Sequence, residues 1–289
     1  MLYLKRITFP DRDREFDFFC TVKRKCYSDF YPFQVLSSVE LTALDFEPVT
    51  ILHGGNGCGK TTALNVIAQK TGADRDSIYN KSSFFPDYLD LCEVKWTGER
   101  PENCRIITSD DVFDYMLNLR YLNEGIDHRR EEMFQEYLHK KHTPFRVNSL
   151  EDYEALRLAN QAKSRTQSRY VRENLMPNAP ERSNGESAFL YFVQKMEESG
   201  LYILDEPENS LSPKRQHELV RWIEDAARFF HCQFVISTHS PFLLALRGAR
   251  IYDLDETPVR VKHWTKLQNV RSYYDFFREH QGEFEDPKR

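Results

Sequence analysis

HGGNGCGKTT, residues 53–62, is a glycine-rich turn that ends in a lysine and two threonines. It follows VTILH (49–53), a run that reads as a buried strand. It precedes TTALNVIAQK, in which Ala63, Val66 and Ile67 share one helical face and Gly72 is a natural stop. Gly54, Gly59, Lys60 and Thr61 satisfy the G-x-x-x-x-G-K-[ST] pattern in its required strand–loop–helix setting. Glycines let successive N–H groups point inward at phosphate oxygens, and the helix N-terminus adds positive potential. The expected phosphate cradle is Gly54, Gly55, Asn56, Gly57, Cys58, Gly59, Lys60, Thr61 and Thr62. Lys60 reaches the β and γ phosphates of a nucleoside triphosphate, and the Thr61 hydroxyl is a ligand for Mg²⁺.

A second stretch bears on the fate of the bound nucleotide. In LYILDEPENSLSP (201–213) an apolar strand carries Asp205 to its carboxyl end, where open parallel sheets bind ligands. An aspartate there can hold the Mg²⁺ shell, and the adjacent Glu206 can orient and polarise an attacking water as the catalytic base. D-E-P is also ordinary chemistry for ending a strand. Beside the phosphate cradle, the functional reading is preferred.

The chain has 289 residues, enough for a sizeable core without disulfides or metals, and is read as one domain. A formal charge of −5 gives no global attraction to nucleic acid or anionic membrane, so any such contact must be local. Six scattered cysteines, with no C-x-x-C pair, fit reduced thiols in a cytoplasmic protein. No long apolar run marks a signal or a membrane span.

The first fifty residues, including LYLKRITF and FDFFCTVKRK, read as half-buried antiparallel strands. From about residue 111 to 182 the chain is charged and helix-prone, which suggests a helical insertion. A helix over Ser187–Ser199 is expected to stop at Gly200 before the strand LYILD. Ser212 caps and Pro213 opens the next helix, with Leu219, Trp222, Ile223, Ala226 and Phe230 as its buried stripe. QFVIST is another buried strand. IYDLDETPVRVKHW and SYYDFFREH read as two short strands and a closing helix.

Together with two further motifs, the chain resembles the ABC-type ATPases. It is most similar to the soluble AAA-like members related to recombination and chromosome-maintenance heads and to ATPase subunits of phage-defence systems. RSNGES (182–187) looks like a degenerate signature loop, in which Ser183 and Gly185 open a helix. The resemblance implies that this loop caps the γ-phosphate of ATP held by a second copy, giving a homodimer on ATP binding. STHSPF (237–242) places His239 where the family has a switch histidine that contacts the γ-phosphate. Asn209 to Ser212 match the D-loop, although Leu211 could equally be core. The implied fold is an α/β P-loop NTPase of ABC type: a mixed central sheet, an N-terminal antiparallel β lobe and the helical insertion. The implied activity is Mg²⁺-dependent ATP hydrolysis by a motor or regulatory subunit that works with an effector protein, in phage defence or DNA repair.

The sequence also departs from the family. A glutamine is missing from the usual position after the first helix, and Ser109, Asp110 and Asp111 stand after CRIIT instead. The signature lacks the leucine and second glycine of transporter subunits, which argues against transport. Tyr27, Tyr31 and Phe33 are candidates for stacking on the base, or core residues. Within 160–174, Arg165, Arg169 and Arg172 would share one face of a helix, with Tyr170 beside them. Such a stripe could follow DNA or RNA phosphates, which gives the rival reading of a nucleotide-gated nucleic-acid-binding module. Pairing with the acidic stretch EDYE (151–154) is the preferred account of those arginines.

Overall fold

A computed structural model describes residues 1–23, 26–27, 29–142, 153–180 and 184–285. It divides into two units, residues 1–112 with 184–289, and residues 113–183.

The first unit carries two sheets. In the smaller, β1 (Leu4–Thr8) lies between β2 (Ala43–Asp45) and β4 (Glu93–Trp96), both antiparallel to it. The larger has the order β5 (Asn103–Thr108), β6 (Gly200–Asp205), β7 (Gln233–Ser237), β3 (Val49–His53), β8 (Arg250–Asp253), β9 (Arg260–Val261). All neighbours are parallel except the final β8–β9 pair. β3, β6 and β7 are buried at every position, as strands covered on both faces must be, and their central residues are accordingly mostly apolar. The fold is therefore α/β, with a mixed central sheet and a separate antiparallel sheet. The third strand of the small sheet comes from residues 93–96, not from the first fifty.

FDFFCTVKRK is a correction. Residues Arg12–Thr21 form helix α1, whose N-cap Asp11 accepts the Arg14 N–H at 2.9 Å. Glu15, Phe18, Phe19 and Val22 fall at helical spacing and turn toward the core, so the 3.6-residue period outweighs the apparent alternation.

Two polar side chains join the sheets. Gln233, fully buried at the start of β7, accepts the Tyr3 and Leu4 N–H groups at 2.8 Å and donates to the Leu4 carbonyl at 2.8 Å. The Tyr252 hydroxyl accepts from Asp45 N–H and donates to its carbonyl, both at 2.9 Å. Each buried polar atom is thereby satisfied, which removes the desolvation cost that otherwise opposes placing it there.

Helix α2 (Lys60–Thr71) ends at Gly72 in the left-handed conformation (φ 63°), as its sequence implies. It is buried on every side from Thr62 to Ala68, and each fully buried aliphatic side chain contributes about 1.5–3 kcal/mol. The next described helices of this unit are α3 (Phe85–Leu91) and the beginning of α4 (Ser109–His142).

In the second unit α4 continues, followed by α5 (Tyr153–Ser164) and α6 (Gln167–Asn174). Met133, Tyr137, Tyr170 and Val171 form its small core. Tyr170 is 1% exposed, so it is a packing residue and no stacking platform. The arginine stripe is also revised. Arg165 sits between α5 and α6, and Arg165 and Arg169 both bond Glu173, the latter at 2.9 Å. One carboxylate thus neutralises two of the three cations. The expected pairing with residues 151 and 152, and with the side chains of Tyr153 and Glu154, lies outside the described part of the chain.

Back in the first unit, α7 spans Asn184–Lys195, three residues earlier at its start and four at its end than expected. Ser199, at φ 59°, turns the chain into β6. Helix α8 (Pro213–Phe229) opens as predicted, with the Ser212 hydroxyl accepting the Arg215 N–H. Leu219, Ile223 and Ala226 are buried, Trp222 is half-buried, and Phe230 lies past the helix end, 43% exposed. Short helix α9 (Pro241–Leu244) follows β7, and α10 (Gln268–Glu279) and α11 (Gln281–Glu285) close the described chain.

Candidate functional site

The carboxyl ends of β3, β6 and β7 lie side by side, and the sequence-selected residues sit there. Gly59, the N-cap of α2, has φ 97°, and a Cβ on it would come within 3.1 Å of Leu36 Cδ2 and 3.2 Å of Val35 Cγ1. A Cβ on Gly54 would lie 2.6 Å from Cys58 Sγ, so the loop closes tightly only because both positions are glycine. Gly55, Asn56 and Gly57 are exposed and Cys58 is half-buried, its thiol pushed up by burial. Lys60 is 5% exposed, and its Nζ bridges the loop by donating to the carbonyls of Gly54 (2.8 Å) and Gly55 (3.0 Å). Thr61 is exposed at the mouth. Thr62 is buried and its Oγ1 accepts from Tyr31 Oη at 3.2 Å.

Asp205 ends β6 opposite Ser237 of β7, and the Ser237 hydroxyl donates to Asp205 Oδ1. Burial raises the Asp205 pKa above the carboxylate norm, and hydrogen bonds from Ser237 and Thr61 work against that rise. A carboxylate and a hydroxyl brought together in this way form a hard oxygen donor pair of the kind Mg²⁺ takes.

Glu206 adopts φ 48°, a left-handed conformation that costs a non-glycine residue about 1–2 kcal/mol. Its N–H is held by the Ser237 carbonyl (3.1 Å) and hydroxyl (3.2 Å). Its Oε2 accepts from Asn209 Nδ2 at 3.0 Å, and its Oε1 lies 3.4 Å from His239 Nε2. That nitrogen is buried and makes no hydrogen bond of good geometry. Burial and the nearby Lys60 cation depress the His239 pKa, so the ring is neutral at pH 7.

Gly185 lies in the first turn of α7, and a Cβ there would meet the Ser210 carbonyl at 3.4 Å. The start of α7 therefore packs on Ser210 and Ser212, and Glu186 anchors it to Arg215 of α8 at 2.9 Å. Ser183 lies outside the described residues. Leu211 is buried, so its core reading holds. Phe33 is 4% exposed within the core and so gives up the base-stacking assignment, while Tyr27 and Tyr31 remain partly exposed. In place of the missing glutamine, Asp111 is buried, its Oδ2 accepting from Thr108 N–H (2.7 Å) and hydroxyl (2.9 Å), its Oδ1 left without a partner. Asp110 is exposed.

Sequence reasoning missed several residues. Asp255 Oδ1 accepts the Gly55 N–H at 2.6 Å and pins the start of the glycine loop from 200 positions away. His53, Asp253 and Asp255 bring ligand-type atoms within 4.8 Å of one another, but Lys262 already bonds Asp253 at 2.8 Å. Arg75 donates to Asn65 Oδ1 at 2.7 Å and leaves Nε and Nη1 buried without partners, near Asp111 and Asp205. Glu208 accepts the His239 N–H. None of these had a local signal beyond charge, because each contact is made by chain crossing.

His53, 2% exposed, gives a pH prediction. Burial lowers its pKa from 6.5, partly offset by its contact with the Thr238 carbonyl and by Asp253 and Asp255. An unfolded histidine protonates near 6.5, whereas the folded one protonates only lower, so stability contributed above that value is lost as pH falls through it. Raised carboxylates at Glu15, Asp205 and Glu208 act in the opposite sense. The readout is therefore a difference. Between pH 7.5 and 5.5 the Tm of His53→Gln should fall less than that of the wild type, by at most about 2 °C.

The fold and these side chains define a P-loop ATPase. The chain belongs to the ABC transporter family, whose model matches residues 37–209. A second model, an AAA domain named for the AbiEii toxin of the Type IV TA system, matches residues 178–245. No curated protein matches the sequence. Solved structures similar in fold include an ATP-binding cassette dimer in a post-hydrolysis state with ADP and Pi (15% identity, TM-score 0.40, 92% of this chain and 100% of that one). Another is the Smc head domain of Pyrococcus furiosus (12%, 0.43, 97% and 100%). A third is a nucleotide-free cassette from an ABC transporter (17%, 0.40, 80% and 87%). Among the described residues no helix is long and apolar enough to cross a membrane.

Proposed function

We propose that this ATPase closes head to head as a homodimer around ATP, reopens after hydrolysis, and through that cycle regulates an effector protein. The observation that carries it is the meeting of Glu206 and His239, 3.4 Å apart, at the strand ends beside Lys60 and Asp205. Lys60 and the loop N–H groups hold the β and γ phosphates. Thr61 and Asp205 would hold Mg²⁺, which would supply charge neutralisation at the phosphates. Glu206 takes the proton of the attacking water. His239, neutral, donates a ring N–H to a γ-phosphate oxygen. Asp111, with one buried oxygen unpartnered, takes the water-ordering position of the missing glutamine. The match to the AbiEii-type AAA model supports a regulatory role in a defence setting over transport. The pairing of Arg165 and Arg169 with Glu173 removes support from the nucleic-acid rival.

Dimerisation is tested at the signature helix. Gly185→Glu places an anion where a second copy's γ-phosphate would sit. The helix start favours a carboxylate, and an added Cβ would meet the Ser210 carbonyl at 3.4 Å and the Ser212 nitrogen at 3.8 Å, both ordinary contacts, so the monomer should fold. Fluorescent-nucleotide affinity should stay within about threefold, while the ATP-dependent dimer and at least about tenfold of the turnover are lost. Analytical ultracentrifugation with ATP reads the dimer; an unaltered dimer in this variant contradicts the proposed sandwich.

A further inference from the structure

Glu208 lies two positions past Glu206, in the turn that leaves β6. Its Oε1 accepts two backbone donors from the other side of the site, His239 N–H at 2.6 Å and Ser240 N–H at 3.1 Å. Its Oε2 is buried without a hydrogen-bond partner, so this carboxylate carries a desolvation cost that its two short bonds offset. The neighbouring N–H groups of Phe242 and Leu243 go to the Ser240 hydroxyl, and the Ser240 N–H is shared with Thr238 Oγ1 at 3.0 Å, so the short bond from the His239 N–H is the main hold of Glu208 on this segment. On the opposite side, the His239 carbonyl accepts from Asn269 Nδ2 of α10 at 3.4 Å. The histidine backbone is thus gripped at both polar atoms by elements distant in sequence.

The turn that carries Glu208 is itself closed. Asn209 N–H reaches the Glu206 carbonyl at 3.2 Å, and Leu211 N–H reaches the Glu208 carbonyl at 2.9 Å. A displacement of residues 207–211 is therefore passed through Glu208 to the His239 backbone. We infer that Glu208 is a positioning residue that locks His239 to the turn bearing Glu206, so that the two side chains facing the γ-phosphate move as one unit. This rests on the reading of His239 as a γ-phosphate contact. It also gives the D-loop, which packs against Gly185, a mechanical connection to the histidine.

The test is a mutant cycle in steady-state ATP hydrolysis. Glu208→Ala should lower kcat about 10- to 100-fold, with KM for ATP moving less than about threefold, since the glycine loop is untouched. Glu208→Gln keeps an acceptor oxygen and should recover most of the loss. Asn269→Ala, which frees only the carbonyl side, should cost about 3- to 10-fold. In a His239→Ala background both substitutions should add less than about twofold, because a group acting through the histidine has nothing left to position. Full multiplicative losses in that background, or a change in KM alone, overturn the proposal. A crippled His239→Ala beside a fully active Glu208→Ala removes this inference only, whereas a His239→Ala with wild-type turnover removes the histidine reading and this inference with it. Should Glu208→Ala fail to fold, Asn269→Ala supports or overturns the coupling by the same cycle.

Discussion

Glu206→Gln is expected to bind ATP as the wild type does and to hydrolyse it at least about 100-fold more slowly, the usual contribution of a positioned base. The substitution is nearly isosteric, so the left-handed backbone at φ 48° and the two bonds from its N–H to Ser237 should persist. The contact with Asn209 survives by rotation of an amide. What disappears is the acceptor for the water proton, and with it the step that releases the closed pair. Gel filtration with ATP should then show a dimer that the wild type forms only in passing, and single-turnover phosphate release should separate slow chemistry from slow opening. A variant that turns over at the wild-type rate takes Glu206 out of the base role and leaves the His239 contact as a structural pairing.

Lys60→Met should weaken ATP binding by at least about 100-fold, close to 2.7 kcal/mol, through loss of a charge-assisted contact to the β and γ phosphates. Methionine is the informative replacement because Lys60 is 5% exposed and its stem packs within the loop. An alanine would confound lost packing with lost charge. In the free protein the ammonium is bound to the Gly54 and Gly55 carbonyls, so its removal also relaxes the loop mouth. The Tm without nucleotide should change little. With saturating ATP the wild type should gain stability according to its affinity, and the variant should not. An equal thermal shift in both proteins places the nucleotide elsewhere.

How much of the fold and site is legible in the sequence depends on the distance over which each feature is specified. Strand β3, the glycine loop and α2 succeed one another in twenty-odd residues, and local spacing alone specifies them. Asp205 and Glu206 are placed by the strand that precedes them, and the Ser212–Pro213 helix start is a local capping event. By contrast α1 reads as a strand because its aromatic residues are dense enough to suit either period, and only the core decides which face of it is buried. The arginine stripe fails for a related reason. A break between α5 and α6 rotates Arg165 off the helix and lets Glu173 reach two cations at once.

The phosphate cradle, the carboxylates at the strand end and the succession of buried strands are all written locally, because backbone conformation responds to neighbours a few positions away. That Asp255 holds the glycine loop, that Glu208 and Asn269 grip His239, and that Phe33 is core emerge from the folded chain alone. Those contacts join positions brought together by crossover connections of a parallel sheet, and no local pattern encodes which strand ends will become neighbours.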